Sequence, residues 1–574
     1  MRWTHTLQSC AQVARLSKEL GISTAVATLL CRLGMDDADR ARSFMNPMLR
    51  ELDDPFRITN MGAAVARLRE AMFRAQKLAV FGDYDVDGVT STVLLLGVLN
   101  RFGVFPRFLV PRRMEEGYGL SRQALERMLE QGRPDLLIAV DCGTNSADEA
   151  AWLRSQGTDV IILDHHTSRE QRIADQDAIL VNPHVNDGED MPWSQLCTVG
   201  LVFKFIHALL KQMREEGDEL AGQIDLRESL DLVALGTVAD LVPLTGENRI
   251  LARKGLERMS APRRTGLEAL FEVAGILPEQ PVTPFDVSFR LSPRINASGR
   301  LADASTAIDM LMGRDWLQCL EAAQTLDRMN RERQEIERGI AAQAMLMVEE
   351  NYADEPAFVL ASKGWHPGVV GIVASRVAGH FHRPAIVLGE EEEGGLLKGS
   401  GRSNGVVDLV SALTPCAHLL ESWGGHPMAV GITIRAERVE EFRAAISASV
   451  GVLTGGQPQE PELDIACWLE PADLTDTLFR ELEQMGPFGQ GNPQPIFGVR
   501  GVNIPFPATA FGSGHCRFNI DLSYGHRMPC VAWRMGERMP KANTPLDLAA
   551  RLTWNVWKGQ RTPQLQVEDW AGAV

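Results

Sequence analysis

Three strand-length apolar runs, each broken off by an acidic residue, constrain this chain more than any other feature. KLAVF (77–81) runs into GDYDVDG, DLLIAV (135–140) into Asp141-Cys142-Gly143, and DVIIL (159–163) into Asp164-His165-His166. Helical patterns such as VTSTVLLLGVLNRFG and ALERMLEQG separate them. Continuous apolar runs alternating with helices predict a parallel sheet covered on both faces. In such a sheet the C-terminal ends of all strands open onto one edge, where ligands bind. A fourth apolar segment, DLVALGTVA, runs into Asp240 and is read as a fourth strand serving the same edge.

A lone aspartate at a strand end is ordinarily a helix N-cap. Four acidic ends in series on one sheet point instead to a shared task. Carboxylates gathered in one crevice repel one another unless cations sit between them. Oxygen ligands joined by one or two imidazoles suit Mn²⁺ or Mg²⁺ better than a structural zinc cage, which would use thiolates. A pair of such ions serves in-line attack on a phosphodiester, one activating a water and the other stabilising the leaving oxygen.

At 574 residues the chain exceeds one hydrophobic core. Residues 1–75 have helical apolar spacing, and residues 76–312 carry the acidic runs. Residues 313–350 form one long helical stretch without proline, and residues 351–451 a second α/β region (AFVLA, VVGIVASRVAGHF, PAIVLG, AVGITI). After the Pro- and Gly-rich VLTGGQPQEPE, residues 463–574 alternate short strands with turn residues, which predicts a small β-barrel. No stretch is long and apolar enough for a membrane span, and no basic-then-apolar leader opens the chain. Nine scattered cysteines without a CxxC pair read as reduced thiols of a cytoplasmic protein.

The formal charge of −17 speaks against a polyanionic partner. The average hides a gradient: residues 495–574 hold nine Lys and Arg against five Asp and Glu, a local +4 that leaves −21 on the remainder. Three glycine-rich loops, GWHPGVVGIVASR, GSGRS and GGHPMAVG, could hold an anion with exposed N–H groups beside Arg or Ser. None is a Walker A or dinucleotide fingerprint.

GDYDVDG, VDCGT, DHHT and VADLVPL resemble, in order and spacing, the four signature motifs of the DHH phosphoesterases. EGYGL (116–120), SPRINASGR (292–300), MNRERQEIE (329–337) and GPFGQGNPQPIF (486–497) resemble the RecJ-type exonucleases within that family. The resemblance implies a DHH catalytic domain, a connecting helix, a DHHA1 domain and a C-terminal oligonucleotide-binding barrel. It implies 5′→3′ degradation of single-stranded DNA with two Mn²⁺ or Mg²⁺ ions. The metal ligands would be Asp83, Asp85, Asp87, Asp141, Asp240 and His165, with direct contact by each of the first three left open. His166, next to Asp164, would lie beside the attacking water or scissile phosphate.

His426 and Arg376 would face the metals from the second α/β region. Ser400 and Arg402 would bind phosphate, with Arg113 (or Arg112) their partner from the catalytic domain. Further substrate contacts would come from Tyr118, Arg294, Asn296, Arg300, Gln334, Gly425 and, in the barrel, Trp554. Phe518, Trp533 and Trp557 are also candidates for base stacking, of which about half should face the core instead. By the same resemblance the chain would act as a monomer alongside a single-strand-binding protein and a RecQ-type helicase.

A related phosphodiesterase of oligoribonucleotides or cyclic dinucleotides would need no basic barrel. An inert strand-binding replication factor of the same fold would not need its acidic motifs.

Overall fold

The computed structural model describes residues 2–111, 116, 119–168, 173–260, 264–277, 280–301, 304–390, 395–456, 462–512, 514–522, 526–557 and 560–573, without the side chains of residues 300, 301 and 557. Arg112, Arg113, Tyr118 and Lys558 lie outside the described residues, as does the side chain of Arg300.

The acidic runs form a five-stranded parallel sheet in the order Arg107–Leu109, Leu78–Gly82, Leu136–Val140, Asp159–Leu163, Ile179–Val181. Alternate side chains serve two cores, as the pleat requires. Val80, Ile138 and Ile161 pack under helices Val86–Arg101 and Thr198–Glu215. Phe81, Leu137 and Ile162 pack under helices Arg122–Glu130 and Ala147–Ser155. Asp83, Asp141 and Asp164 follow directly on three of the strands, as their spacing predicts.

DLVALGTVA is not a strand. Residues Leu230–Ala239 form a helix, all but its last residue buried, and Asp240 is its C-cap. A ten-residue run that is apolar on every side carries no period to separate helix from strand. Gly236 shows how tightly this helix is held. A Cβ there would lie 2.5 Å from Thr90 Oγ1 and 2.6 Å from Val199 Cγ1. Asp240 therefore reaches the sheet edge from a packed helix rather than from a fourth strand.

Helix Trp316–Met347 bridges the two α/β bodies. Near its first half Asp327 pairs with Arg294 at 2.9 Å; further along, Glu337 pairs with Arg376 at 2.7 Å. The second body has the sheet order Ser422–His426, Ala429–Arg435, Leu396–Arg402, Ala385–Glu390, Phe358–Ser362, antiparallel except for the last pair.

The C-terminal region is an eight-stranded sheet whose outermost strands are Arg2–Thr4 and Thr509–Phe511. Among the described residues these two do not pair, so the strands of the expected barrel lie in an open order. The first strand comes from the segment read as a helical leader. Arg2–Thr4 runs parallel to Glu462–Leu469, and Trp3 Nε1 donates to Asp569 at 2.9 Å. Helices Cys10–Leu20, Thr24–Arg32 and Ala38–Met45 bury Leu16, Val26, Leu30 and Phe44 in one core with Phe479, Phe497 and Leu548. Helix Met61–Phe73 belongs instead to the catalytic core.

Candidate active site

Local geometry explains the spacing of GDYDVDG. Asp85 is the N-cap of helix Val86–Arg101 and accepts the Gly88 N–H at 3.1 Å. A Cβ on Gly88 would lie 2.4 Å from the Asp83 carbonyl oxygen, so only glycine allows the loop to fold back this far. Asp87, the second residue of the helix, is fully buried. Its two oxygens accept the backbone N–H groups of Thr198 and Val199 at 2.7 and 2.8 Å, at the N-terminus of helix Thr198–Glu215. The Thr198 hydroxyl donates to Asp141 at 2.9 Å. Asp141 itself has φ 64, a left-handed conformation that costs a non-glycine residue energy and is characteristic of functional sites.

These elements bring together three overlapping trios: Asp83, Asp85 and Asp141; Asp87, His165 and Asp240; and Asp141, His165 and His166. Within each trio the ligand atoms lie within 4.8 Å of one another. His165 Nε2 stands 3.4 Å from Asp240, 3.6 Å from Asp141 and 4.0 Å from Asp87. His166 has a different role. Its Nδ1 lies 2.7 Å from Asp164, which also accepts the backbone N–H groups of Thr144, His165 and His166. Asn182 anchors the same turn by donating to the His166 carbonyl at 2.9 Å and to Thr144 Oγ1 at 2.8 Å.

Electrostatics separates the two imidazoles. Burial, aided by the neighbouring His166, drives His165 down to about 3, so it stays neutral and able to accept a cation. The Asp164 charge holds His166 up at about 9, which makes it an imidazolium at neutral pH. Burial opposes ionisation of Asp164, but His166 outweighs it and keeps that carboxyl well below its ordinary range. Burial and then the Asp85 charge push Asp87 up to about 7; burial and the surrounding aspartates raise Asp141 and Asp240 as well.

The residues present fit a divalent cation. His165 Nε2 and Asp240 Oδ2 are both buried, face each other and have no hydrogen-bond partner. Buried polar atoms of this kind call for a further ligand. The donors are carboxylates and imidazole; Cys142 and Cys197 lie nearby, but burial raises both thiols well above their usual value, so neither offers a thiolate. That donor set suits Mn²⁺ or Mg²⁺.

The remaining candidates fall on several surfaces. Asn296 accepts the Val86 N–H at 3.1 Å and so braces the GDYDVDG loop. Arg294 is engaged by Asp327 and the Arg290 carbonyl. Gln334 lies half-buried on the long helix. Arg376 is half-exposed beside Glu337, and His426 is exposed at the hairpin turn that follows Gly425. Arg402 Nη1 donates to Ser400 Oγ at 2.5 Å and to the Gly401 carbonyl at 2.8 Å. Both side chains abut the first turn of helix Val370–Phe381, where a Cβ on Gly371 would lie 3.1 Å from Arg402 Nη2 and 3.3 Å from Ser400 Oγ.

In the C-terminal sheet Phe518 is buried against Trp570, and Trp554 packs against Phe479 beneath the Arg561 guanidinium. Trp533 is half-exposed within a ring cluster formed with Phe511 and His515 (centroids 5.0–5.7 Å apart). Phe511 and His515 escaped sequence reasoning, as did Thr198, Val199 and Asn182. The ring pair could have been found from the hairpin register, which sets Phe511 opposite His515. The buried helix N-terminus has no comparable sequence signal.

The fold and the acidic edge define a DHH-type protein. The model described as "DHH family, N-terminal domain" matches residues 77–237, "DHHA1 domain" residues 354–451 and "RecJ OB domain" residues 465–569. The single-stranded-DNA-specific exonuclease RecJ of Bacillus subtilis (strain 168) is 36% identical over 99% of this chain and 70% of its own length. That of Dickeya dadantii (strain 3937) is 34% identical over 96% and 98%. The crystal structure of RecJ from Thermus thermophilus in complex with Mn²⁺ superposes with a TM-score of 0.83 at 28% identity, covering 100% of this chain and 80% of that one. The chain belongs to the RecJ family.

Proposed function

We propose that this protein is a metal-dependent exonuclease that hydrolyses single-stranded DNA from its 5′ end. The observation that carries the reading is the buried, unpartnered pair of His165 Nε2 and Asp240 Oδ2 among three trios of carboxylates and imidazoles at the carboxyl edge of a parallel sheet. Asp83, Asp85, Asp87, Asp141, Asp240 and His165 would hold Mn²⁺ or Mg²⁺. When bound, such ions lower the pKa of a water and stabilise developing charge on oxygen. The chain's own contribution is orientation. Thr198 and Val199 fix Asp87, Thr198 fixes Asp141, and Asp164 holds His166 as a cation at the mouth of the site, placed to donate to a phosphate oxygen.

Ser400 and Arg402 at a helix N-terminus form the anion cradle that would take the 5′ phosphate and so set direction. Arg113, Tyr118, Arg300, Arg376 and His426 complete the reading on resemblance. So do monomeric action in the cytoplasm and partnership with a single-strand-binding protein and a RecQ-type helicase. Digestion of single-stranded and duplex DNA labelled at either end, with Mn²⁺ or with chelator, tests the reading. A 5′ label should leave at once as mononucleotide, a 3′ label should shorten gradually, and duplex or chelated samples should stay intact. Immediate release of the 3′ label, or cutting under chelation, would overturn it.

A further inference from the structure

The GPFGQGNPQP loop is built against the segment that carries Asp240. After Asp240 the chain turns through Leu241, a non-glycine residue at φ 60. The Leu244 N–H then donates to the Gln490 carbonyl at 2.7 Å. A Cβ on Gly489 would lie 2.7 Å from Leu244 Cδ1, and one on Gly491, at φ 71, would lie 3.0 Å from Pro243 Cβ. From the other side Asn248, buried, donates to the Pro243 carbonyl at 3.1 Å. Residues 241–245 are thus clamped between the catalytic body and the C-terminal domain.

Arg249 sets that clamp. It projects from helix Gly246–Met259, is 2% exposed, and makes no ion pair among the described residues. Its Nη2 instead donates to the carbonyls of Gln484, Met485 and Gly486 at 3.2, 2.9 and 2.9 Å, at the end of helix Asp476–Met485. Nε donates to the Phe44 carbonyl at 2.9 Å, and the guanidinium lies 3.6 Å from the Phe44 ring centroid. Arg253 adds bonds to the Glu483 and Gly486 carbonyls at 2.9 and 3.1 Å. The negative end of a helix dipole and the carbonyls gathered there thereby offset part of the cost of a buried cation whose Nη1 has no hydrogen-bond partner among the described residues. Removing it would leave the Gln484 carbonyl without a donor, leave Met485 and Gly486 held only by Asn492 Nδ2 and Arg253 Nη1, and so loosen the loop that follows them.

We propose that Arg249 is a positioning residue for the metal centre: by seating residues 486–492 on residues 241–245 it fixes Asp240, so that the C-terminal domain contributes to ion affinity as well as to strand capture. The proposal rests on Asp240 being a ligand, and the test separates the two claims. Mn²⁺ binding is measured by calorimetry on the full chain without DNA, and hydrogen exchange is followed over residues 240–246. Steady-state rates are taken on a short oligonucleotide and on a long strand.

Arg249→Met should weaken Mn²⁺ binding about 10- to 100-fold, the usual effect of losing an outer support of a ligand. It should also speed exchange over 240–246 and lower kcat on both substrates alike. Arg249→Lys should restore part of each effect. Arg253→Ala, at the rim of the same contact, should shift all three readouts less and in the same direction, and it carries the test if Arg249→Met does not fold. Normal Mn²⁺ affinity and normal exchange, with only a raised KM for the long strand, would overturn the proposal. Asp240→Asn is the control: if it binds Mn²⁺ normally the ligand assignment falls, and the proposal with it. If Asp240→Asn binds poorly while the Arg249 and Arg253 variants bind normally, only the positioning role falls.

Discussion

Asp141 is held in a strained backbone conformation, buried, and surrounded by Asp83, Asp85, Asp87 and Asp240. Asp141→Ala or His165→Ala should therefore reduce hydrolysis to background while leaving strand binding intact. In chelator the Asp141 variant should melt no lower than the parent, because a buried charge that repels its neighbours has been removed. Near-normal turnover of either variant at saturating Mn²⁺ would refute the ligand assignment. The pH behaviour follows from the same groups. A ligand imidazole with its ordinary pKa would cost activity around pH 6–7, as it protonates. Burial instead keeps His165 neutral down to about 3, so the protons that compete with metal sit on the carboxylates, with Asp87 raised to about 7. A carboxyl whose folded pKa is raised stabilises the metal-free fold at low pH, and that stability is lost as pH rises through the folded value. The chelated protein should therefore lose stability from about pH 4 through 7, and added Mn²⁺ should restore it. Calorimetry in buffers of different ionisation enthalpy should find more protons released on Mn²⁺ binding at pH 6, where Asp87 is largely protonated, than at pH 8, where it is largely ionised. Equal proton release at both values would contradict this.

Strands that end in acid were legible because the pattern is local: Leu78–Gly82, Leu136–Val140 and Asp159–Leu163 fall where their apolar runs predict. That Asp83, Asp85, Asp87, Asp141 and His165 gather at one edge was legible for the same reason. Leu230–Ala239 was not, since a segment buried on every side has no period to read, and its helical state is decided by packing against helix Val86–Arg101. Nor was the strand Arg2–Thr4, whose hydrogen-bond partners lie at the far end of the sequence. In the second body, strand Leu396–Arg402 sets Ser400 and Arg402 against the first turn of helix Val370–Phe381, an arrangement favourable to a dianion. A strand with a 5′ phosphate should be degraded faster than one with a 5′ hydroxyl. Arg402→Ala should erase that preference by slowing only the phosphorylated strand, with each lost charge-assisted hydrogen bond worth about 1.5–3 kcal/mol. Equal slowing of both substrates would mean that the cradle does not hold the terminal phosphate.

Across the molecule, the first helices and the last strands form one body with a single core, and the catalytic body is threaded between them in sequence. Deleting residues 495–574 would therefore strip the apolar face from Leu16, Val26 and Leu30 as well as remove the basic strands, so point variants are the cleaner probe of strand binding. Leu16→Ala should cost about 2–5 kcal/mol, the range for a fully buried leucine. The loss should appear in the unfolding transition of the C-terminal domain, with the catalytic body still folded but binding Mn²⁺ as weakly as Arg249→Met once that domain has unfolded, and a shift confined to the catalytic transition would contradict the shared core. The same threading dictates an order of events at the ribosome. Helices Cys10–Leu20 and Thr24–Arg32 leave the exit tunnel long before strand Glu462–Leu469 exists, while the strands of the parallel sheet are all made much earlier. A nascent chain stalled before residue 462 should thus display a formed parallel sheet, with residues 241–245 not yet clamped, beside a bare hydrophobic face. That face is where a trigger-type chaperone would be expected to sit until the last strands arrive.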